Sequence, residues 1–382
     1  MKQPERYVEP RLTQYLFDRA SRTLTPLSGT FELSPVCNLA CKMCYVRKTP
    51  AEVAASPRPP VGLIQWLSIA EQARDAGMLY LLLTGGEPFL WQDFWPLYER
   101  LSTMGFLISI NSNGTLLDEA RVARLAEHPP TRINITLYGA GNETYEALCG
   151  RSGMFDRVDR AITLLRQAGI LVKLNCSLTP HNACDLEGIV SYAAERDLIL
   201  EVNTYMFPPL RRDPTMVGRN DRFTPAETAH YHMERYRLQR GEEDFTRFLQ
   251  NILRGIAPPP GLDEDCVDPV DGTISCRAGN ASFWVTWDGW LTPCGMMPKP
   301  RIELKGKPFR EAWSELTRVS AAQRLSGTCT GCQNRRICHS CVAMAMAETG
   351  SVSGIPKYLC EMVWAMRTEA ARLLAERQKP TT

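Results

Sequence analysis

The sequence has no long apolar run and almost no net charge. No stretch approaches the roughly 20 apolar residues that a helix needs to cross a bilayer. Its 44 lysines and arginines nearly balance 42 acidic residues, for a formal net charge of +2. The N-terminal segment is charged throughout and lacks the apolar core of a secretion signal. We therefore expect a cytoplasmic protein whose main partner is neither a membrane nor a nucleic acid.

Cysteine, in contrast, is abundant, with 14 among 382 residues. In a chain without a secretion signal, so many thiols indicate metal binding rather than disulfides. Cys37, Cys41 and Cys44 form the motif C-x3-C-x2-C directly after a strand-like run. A [4Fe-4S] cluster takes four thiolates, so a loop of three leaves one iron open. Zinc is the alternative, but structural zinc needs four ligands and the nearest histidine is His128.

A second motif follows the apolar run at residues 79–83. It comprises Gly85, Gly86, Glu87 and Pro88. Two glycines let the backbone approach a ligand closely, and a carboxylate beside backbone carbonyls suits an ammonium group. The alternative is a tight turn before a helix. The presence of the cysteine motif favours ligand binding.

Together the two motifs resemble the radical S-adenosylmethionine (SAM) superfamily. The resemblance implies that Cys37, Cys41 and Cys44 bind a [4Fe-4S] cluster, whose fourth iron is chelated by the amino and carboxylate groups of SAM. It also implies electron transfer into SAM that yields a 5'-deoxyadenosyl radical. Met43 departs from the family, which often has an aromatic residue there that touches the adenine. Tyr45 is the expected replacement in cofactor binding.

Strand-like runs alternate with amphipathic helices from about residue 30 to residue 208, which predicts an α/β fold with a parallel sheet. Six such units match the partial (βα)6 TIM-type barrel that the resemblance implies. Parallel barrels bind ligands at the C-terminal ends of their strands, which nominates Asn111, Asn113 and Asn175 for the cofactor or substrate. Arg151 resembles an arginine that related enzymes use to hold the SAM carboxylate. Each could instead be a turn residue bonded to its own backbone.

The last third of the chain is rich in cysteine. Eight thiols follow a proline-rich breaker at residues 258–261, namely Cys266, Cys276, Cys294, Cys329, Cys332, Cys338, Cys341 and Cys360. Eight thiols suffice for two further four-cysteine clusters. Their spacing resembles the SPASM extension of radical SAM enzymes, although Cys338 and Cys341 are one residue closer than usual. A pair of zinc knuckles is the alternative.

The SPASM resemblance also implies which cysteines bind which cluster. It gives the first auxiliary cluster Cys276, Cys294 and Cys341, with Cys266 as the fourth ligand, and the second Cys329, Cys332, Cys338 and Cys360. Three [4Fe-4S] clusters would then use eleven thiols and leave Cys149, Cys176 and Cys184. These three are either small buried hydrophobes or donors of a hydrogen atom to a substrate radical.

The same patterns divide the chain into five predicted segments. They are an N-terminal extension (1–29), the radical SAM partial barrel (30–208), a helical connector (209–262), a small Cys-rich auxiliary-cluster domain (263–365) and a C-terminal tail (366–382). Residues 208–214 form a basic loop, either a solvated connector or a contact for an acidic peptide.

Auxiliary clusters can accept an electron from a substrate radical, which favours oxidation of the substrate. The resemblance implies a peptide maturase that forms a thioether or carbon-carbon crosslink, with ferredoxin or flavodoxin as electron donor. Sulfatase-modifying members of the family typically have an Asp, acting as a base, directly after the cysteine that corresponds to Cys294. Here Gly295 follows Cys294, which argues against sulfatase maturation. One alternative is an oxidoreductase acting on a small molecule, such as a sugar alcohol or a tetrapyrrole side chain. Another is a zinc-stabilised binding module without SAM chemistry.

Overall fold

The structure is a computed structural model that describes residues 11–256, 273 and 276–377. The first part of the chain contains α1 (Arg11–Thr23), β1 (Ser28–Glu32), α2 (Pro50–Ala54), α3 (Leu63–Asp75), β2 (Tyr80–Thr84), α4 (Phe94–Ser102), β3 (Leu107–Ser112), α5 (Glu119–Glu127), β4 (Arg132–Thr136), α6 (Asn142–Cys149), α7 (Met154–Gln167), β5 (Val172–Ser177), α8 (Leu186–Glu195) and β6 (Ile199–Asn203). It continues with α9 (Pro225–Arg240), α10 (Glu242–Arg254), β7 (Ser282–Val285), β8 (Trp290–Thr292), β9 (Ile302–Glu303), α11 (Phe309–Ala321), α12 (Gly327–Thr330), α13 (Arg335–Cys338), α14 (Val342–Thr349) and α15 (Lys357–Arg377).

The nine described strands form one sheet in the order β6-β5-β4-β3-β2-β1-β7-β8-β9. Strands β1 to β6 are parallel, which confirms the α/β fold with six βα units. The Cys-rich segment continues this sheet, because β7 pairs in parallel with β1 and is followed by antiparallel β8 and β9. The predicted boundary at residues 258–261 lies outside the described residues. Helix α15 runs across the predicted boundary at residue 366.

Two faces of the sheet differ in polarity. Residues such as Phe31, Ile110 and Leu174 are fully buried against the helices, where Phe31 stacks on Trp66 with ring centroids 4.8 Å apart. The alternate positions, which point into the barrel, carry amides and charges on β3 to β6. The sequence predicts strands only over the apolar runs 106–110 and 171–174. Parallel pairing extends β3 and β5 beyond them, to Ser112 and Ser177. Asn111 and Asn175 are therefore strand residues rather than turn residues.

The C-terminal helix packs on the connector helices. Phe248, Met233 and Met366 belong to one buried cluster formed by α9, α10 and α15. Helix α9 has Thr224 as its N-cap and Pro225 in its first turn. Within the described ranges, no helix has both the length and the apolar composition needed to cross a bilayer.

Candidate active site

The loop with the three thiols follows β1 and is held against the end of α6. The Ala40 N–H donates to the Cys149 carbonyl at 2.9 Å, and the Lys42 N–H donates to the Leu148 carbonyl at 3.2 Å. These bonds flank Cys41 and fix its position. The thiols of Cys37, Cys41 and Cys44 lie close enough to interact electrostatically.

The sulfur atoms have donors suited to thiolates. The Leu39 N–H lies 3.4 Å from the Cys37 sulfur, and the Arg47 N–H lies 3.3 Å from the Cys44 sulfur. The Asn113 side-chain amide adds a third donor, 3.6 Å from the Cys37 sulfur. Hydrogen bonds to cysteine sulfur are a feature of iron–sulfur sites. The donor set therefore fits such a cluster.

Burial keeps these thiols protonated in the absence of metal. It raises the pKa of Cys37 to about 12 and also raises the pKa of Cys44. The pKa of Cys41 is raised mainly by its hydrogen bond to the thiol of Cys149, and further by burial. Binding of iron to this loop would therefore release protons.

The Gly-Gly-Glu-Pro loop runs beside the cysteine loop. The Gly86 N–H donates to the Ser34 carbonyl at 2.7 Å, and the Glu87 N–H to the Val36 carbonyl at 3.0 Å. A Cβ atom at Gly86 would lie 2.4 Å from the Val36 oxygen, and one at Gly85 would lie 2.3 Å from the Ser34 oxygen. Gly85 also has φ +153°, which L side chains rarely adopt. Both glycines are needed for this close approach.

The carboxylate of Glu87 is fully buried and already has three donors. Its Oε1 accepts from the Phe89 N–H and the Ser112 hydroxyl, at 3.2 and 2.9 Å, and its Oε2 accepts from the Asn113 N–H at 2.8 Å. Burial raises the pKa of Glu87 to about 7. The side chain thus links β2 to the end of β3, while Pro88 starts a buried turn. Contact between Glu87 and the SAM ammonium stays a prediction.

The predicted asparagines occupy different environments. Asn113 donates to Asn38 at 2.9 Å, which connects it to the cysteine loop. The Asn111 side-chain oxygen accepts from the Asn134 amide at 2.7 Å. Within the described part of the chain, Oδ1 of Asn134 and Oδ1 of Asn175 are buried without a hydrogen-bond partner. Two unused acceptors on neighbouring strands fit a ligand that supplies donors.

Arg151 and Tyr45 differ in how far they are exposed. Arg151 is exposed and makes no hydrogen bond or ion pair with the described residues. Tyr45 is half-buried and interacts electrostatically with Glu32, Cys44 and Cys294. It thus lies between the cysteine loop and the Cys-rich segment.

An ion pair that was not predicted from the sequence lies inside the barrel. Lys173 on β5 and Glu201 on β6 form a salt bridge, with side chains 12% and 15% exposed. Glu201 also accepts from the Asn203 amide at 3.1 Å. The signal was present in the sequence, because each charged residue interrupts an apolar strand at an inward position.

A second buried ion pair joins three parts of the chain. Arg211 donates to both carboxylate oxygens of Glu32 at 2.9 and 2.7 Å, and Trp284 donates to Glu32 at 3.0 Å. Arg211 also donates to the Gly295 carbonyl at 2.8 Å. The Glu32 side chain is fully buried and that of Arg211 is 12% exposed. Both interpretations of loop 208–214 are therefore wrong for Arg211, which is neither solvated nor free to meet an acidic peptide.

Gly295 has a packing reason to be glycine. A Cβ atom there would lie 2.8 Å from the ring of Trp284. A larger residue would displace the tryptophan that bonds to Glu32. The neighbouring Arg212 donates to the Cys44 carbonyl at 2.8 Å, so the loop also contacts the first cysteine motif.

The structure brings together the four cysteines predicted for the second auxiliary cluster. Burial raises the pKa of Cys360, and the nearby thiols of Cys338, Cys329 and Cys332 raise it further. For the first auxiliary cluster, Cys294 and Cys341 contact the same apolar cluster around Met297 and Val342. Cys276 precedes β7, and Cys266 lies outside the described residues. Ligation of either cluster stays a prediction.

The described residues also show whether a single metal ion could be bound outside a cluster. In the described ranges, no three His, Cys, Asp or Glu side chains are placed to hold one metal ion. The four irons of a cluster are held by separate thiolates. Of the unassigned cysteines, Cys149 and Cys176 are buried and Cys184 is exposed.

Comparisons with known proteins agree with this geometry. Residues 31–193 match the radical SAM superfamily. The chain is 24% identical over 340 residues to the AdoMet-dependent heme synthase of Methanosarcina barkeri, covering 86% of this chain and 94% of the relative. It is 25% identical over 383 residues to the mycofactocin maturase MftC of Mycolicibacterium smegmatis, covering 97% of this chain and 90% of MftC.

A solved structure shows the same fold. The chain resembles anSMEcpe with bound AdoMet and a peptide, at a TM-score of 0.66 and 20% identity, with 92% of this chain and 99% of that chain covered. The matched region contains both the cysteine motif and the Gly-Gly-Glu-Pro loop. On this sequence match, residues 31–193 of the chain form a radical SAM domain.

Proposed function

We propose that this protein is a radical SAM/SPASM enzyme that oxidatively modifies a peptide. The observation that carries the proposal is the three-thiol loop, with its sulfur-directed donors, at the mouth of a barrel whose inner face is polar. When bound, the cluster and SAM supply a radical that removes a hydrogen atom. We assign the cluster to Cys37, Cys41 and Cys44, and SAM to Tyr45, Gly85, Gly86, Glu87, Pro88, Asn111, Asn113, Arg151 and Asn175.

The charges inside the barrel favour a substrate of low net charge. Lys173 is neutralised by Glu201, and Arg211 by Glu32. Neither cation is left to bind an anionic group. The buried acceptor of Asn134 instead suits an N–H or O–H donor, such as a peptide amide.

The Cys-rich segment completes the proposal. Two auxiliary [4Fe-4S] clusters would accept the electron released when the substrate radical forms its new bond. Ferredoxin or flavodoxin would supply the low-potential electron to SAM. The structure describes thirteen cysteines and none of them is in a disulfide, which supports a reducing compartment such as the cytoplasm.

A second candidate substrate is a tetrapyrrole side chain. The similarity to heme synthases, over most of their length, favours it. Tetrapyrroles carry several carboxylates, however, and two cations of the barrel interior already have carboxylate partners. We therefore rank the peptide first.

The test is a substrate comparison under anaerobic conditions. Reconstituted protein receives SAM, dithionite and either the short peptides encoded beside its gene or an iron tetrapyrrole with propionate side chains. We expect a peptide to lose a pair of hydrogen atoms, detected by mass spectrometry, as SAM is consumed. Conversion of the tetrapyrrole alone would favour the second candidate. Colourless protein with zinc and no iron would contradict both and favour a binding module.

A further inference from the structure

A fourth thiol contacts the cysteine loop. The sulfur of Cys149, at the end of α6, lies 3.5 Å from the sulfur of Cys41. Cys149 is fully buried, whereas Cys41 is half-buried at the barrel mouth. No predicted cluster uses Cys149. Of the three thiols in the loop, Cys41 is the one whose hydrogen bond to the Cys149 thiol most strongly raises its pKa.

The backbone on both sides keeps this pair in place. The hydrogen bonds from Ala40 to Cys149 and from Lys42 to Leu148 flank the contact. Gly150, with φ +69°, ends the helix directly after Cys149. A disulfide has a sulfur–sulfur distance of about 2.05 Å, so the two side chains need to close a gap of about 1.5 Å. Rotation of the side chains supplies such movements without unfolding the loop.

We propose that Cys41 and Cys149 form a redox modification site, which closes to a disulfide when the loop holds no cluster. Two S–H bonds break and one S–S bond forms, while molecular oxygen takes up the two electrons and two protons and becomes hydrogen peroxide. A dithiol reverses the step and is itself oxidised to a disulfide.

The consequence for the enzyme rests on the proposed function. If Cys41 binds the SAM cluster, the disulfide removes one of its three ligands. The oxidised protein then cannot rebuild the cluster until a reductant opens the bond. Reversible closure also keeps Cys41 from irreversible oxidation to sulfinic acid.

Peptide mapping of the full-length chain tests the disulfide directly. The protein is stripped of iron with a chelator, exposed to air, alkylated and digested with trypsin without reduction. We expect a linked pair of peptides, 23–42 and 133–151, that dithiothreitol separates. Peptide 23–42 also contains Cys37, so the link should persist in Cys37→Ser. It should disappear in Cys149→Ser and persist in Cys176→Ser, which alters another buried thiol.

Iron reloading tests whether the Cys41–Cys149 disulfide prevents the cluster from being rebuilt. Without reductant, the oxidised parent should recover less iron than Cys149→Ser, and dithiothreitol should abolish the difference. If Cys149→Ser fails to fold by circular dichroism, Cys149→Ala replaces it. Absence of the link from folded, air-exposed parent would overturn this inference and leave the proposed function standing. Formation of the link in a protein that neither retains iron nor cleaves SAM would overturn the proposed function instead.

Discussion

At the scale of single residues, Glu87 combines full burial with a titration near neutral pH. Its pKa of about 7 in the folded protein exceeds the ordinary value of 4.5 because burial disfavours the charged form. The folded protein therefore binds this proton more tightly than the unfolded chain does. The contribution of Glu87 to the free energy of unfolding is fully present below about pH 4.5 and is lost as the pH rises to about 7.

Glu87→Gln should remove this pH dependence. Over the window in which Glu87 titrates, the parent should lose about 3 kcal/mol of unfolding free energy through this group. The variant should show a flatter profile in urea unfolding at about pH 5, 6 and 7. The control is Glu52→Gln, because backbone and side-chain donors of Thr49 lower the pKa of Glu52 and keep it out of this window. Equal slopes in parent and Glu87→Gln would contradict the prediction.

Gly86→Ala should destabilise the protein by about 3 kcal/mol, because its Cβ would overlap the Val36 carbonyl oxygen at 2.4 Å. The matched control is Gly62→Ala, whose Cβ would meet nothing within 4 Å. That control, at the N-cap of α3, should lower the unfolding free energy by no more than about 1 kcal/mol. Urea unfolding measures both, and equal effects would refute the argument from backbone contact.

Ligand motifs could be predicted from the sequence where the bound group fixes the spacing of its ligands along the chain. The positions of Cys37, Cys41 and Cys44 follow from the sequence alone because one loop supplies all three thiols. The partners of Glu32 were not predictable, because Arg211 and Trp284 lie 179 and 252 residues away. No local pattern encodes such pairs.

At the scale of elements, the Glu32–Arg211 pair joins β1, the loop after β6 and the Gly295 loop. Removing one partner of a buried pair leaves a charge without compensation, which is usually costly. The strand-like apolar runs in the sequence predicted β1 to β6. They missed the ends of β3 and β5, because pairing with neighbouring strands holds asparagines that have low strand propensity.

Arg211→Met should lower the unfolding free energy by about 3–5 kcal/mol, since Glu32 would stay buried without its partner. Adding Glu32→Gln to this variant should restore part of the loss. Arg160→Met breaks an ion pair on the surface and should have little effect. Chemical denaturation compares the three variants, and a loss for Arg211→Met no larger than for Arg160→Met would contradict the interpretation.

At the scale of the whole molecule, one sheet runs from the barrel into the Cys-rich segment through the pairing of β1 with β7. The sequence predicts two separate units here, because a proline-rich stretch lies between them and strand pairing across that distance leaves no local signal. The continuous sheet places Cys294 near the first cysteine motif, with Tyr45 between them.

Iron content reports on the predicted clusters. The parent should bind about twelve irons per chain, and the double variant Cys329→Ala/Cys332→Ala should lose about four of them. Cys184→Ala, which removes an exposed thiol outside all three predicted clusters, should bind as much iron as the parent. Elemental analysis after anaerobic reconstitution measures the iron bound per chain. An unchanged iron content in the double variant would contradict the prediction that Cys329 and Cys332 bind a second auxiliary cluster.

The most direct test of the central claim is formation of 5'-deoxyadenosine from SAM. Anaerobically reconstituted parent and a variant with Cys37, Cys41 and Cys44 all changed to Ala receive SAM and dithionite, and the product is quantified by chromatography. The account predicts product from the parent and none from the variant. Absence of product from a parent that contains its full complement of iron, or equal production by the variant, would contradict radical SAM chemistry at this loop.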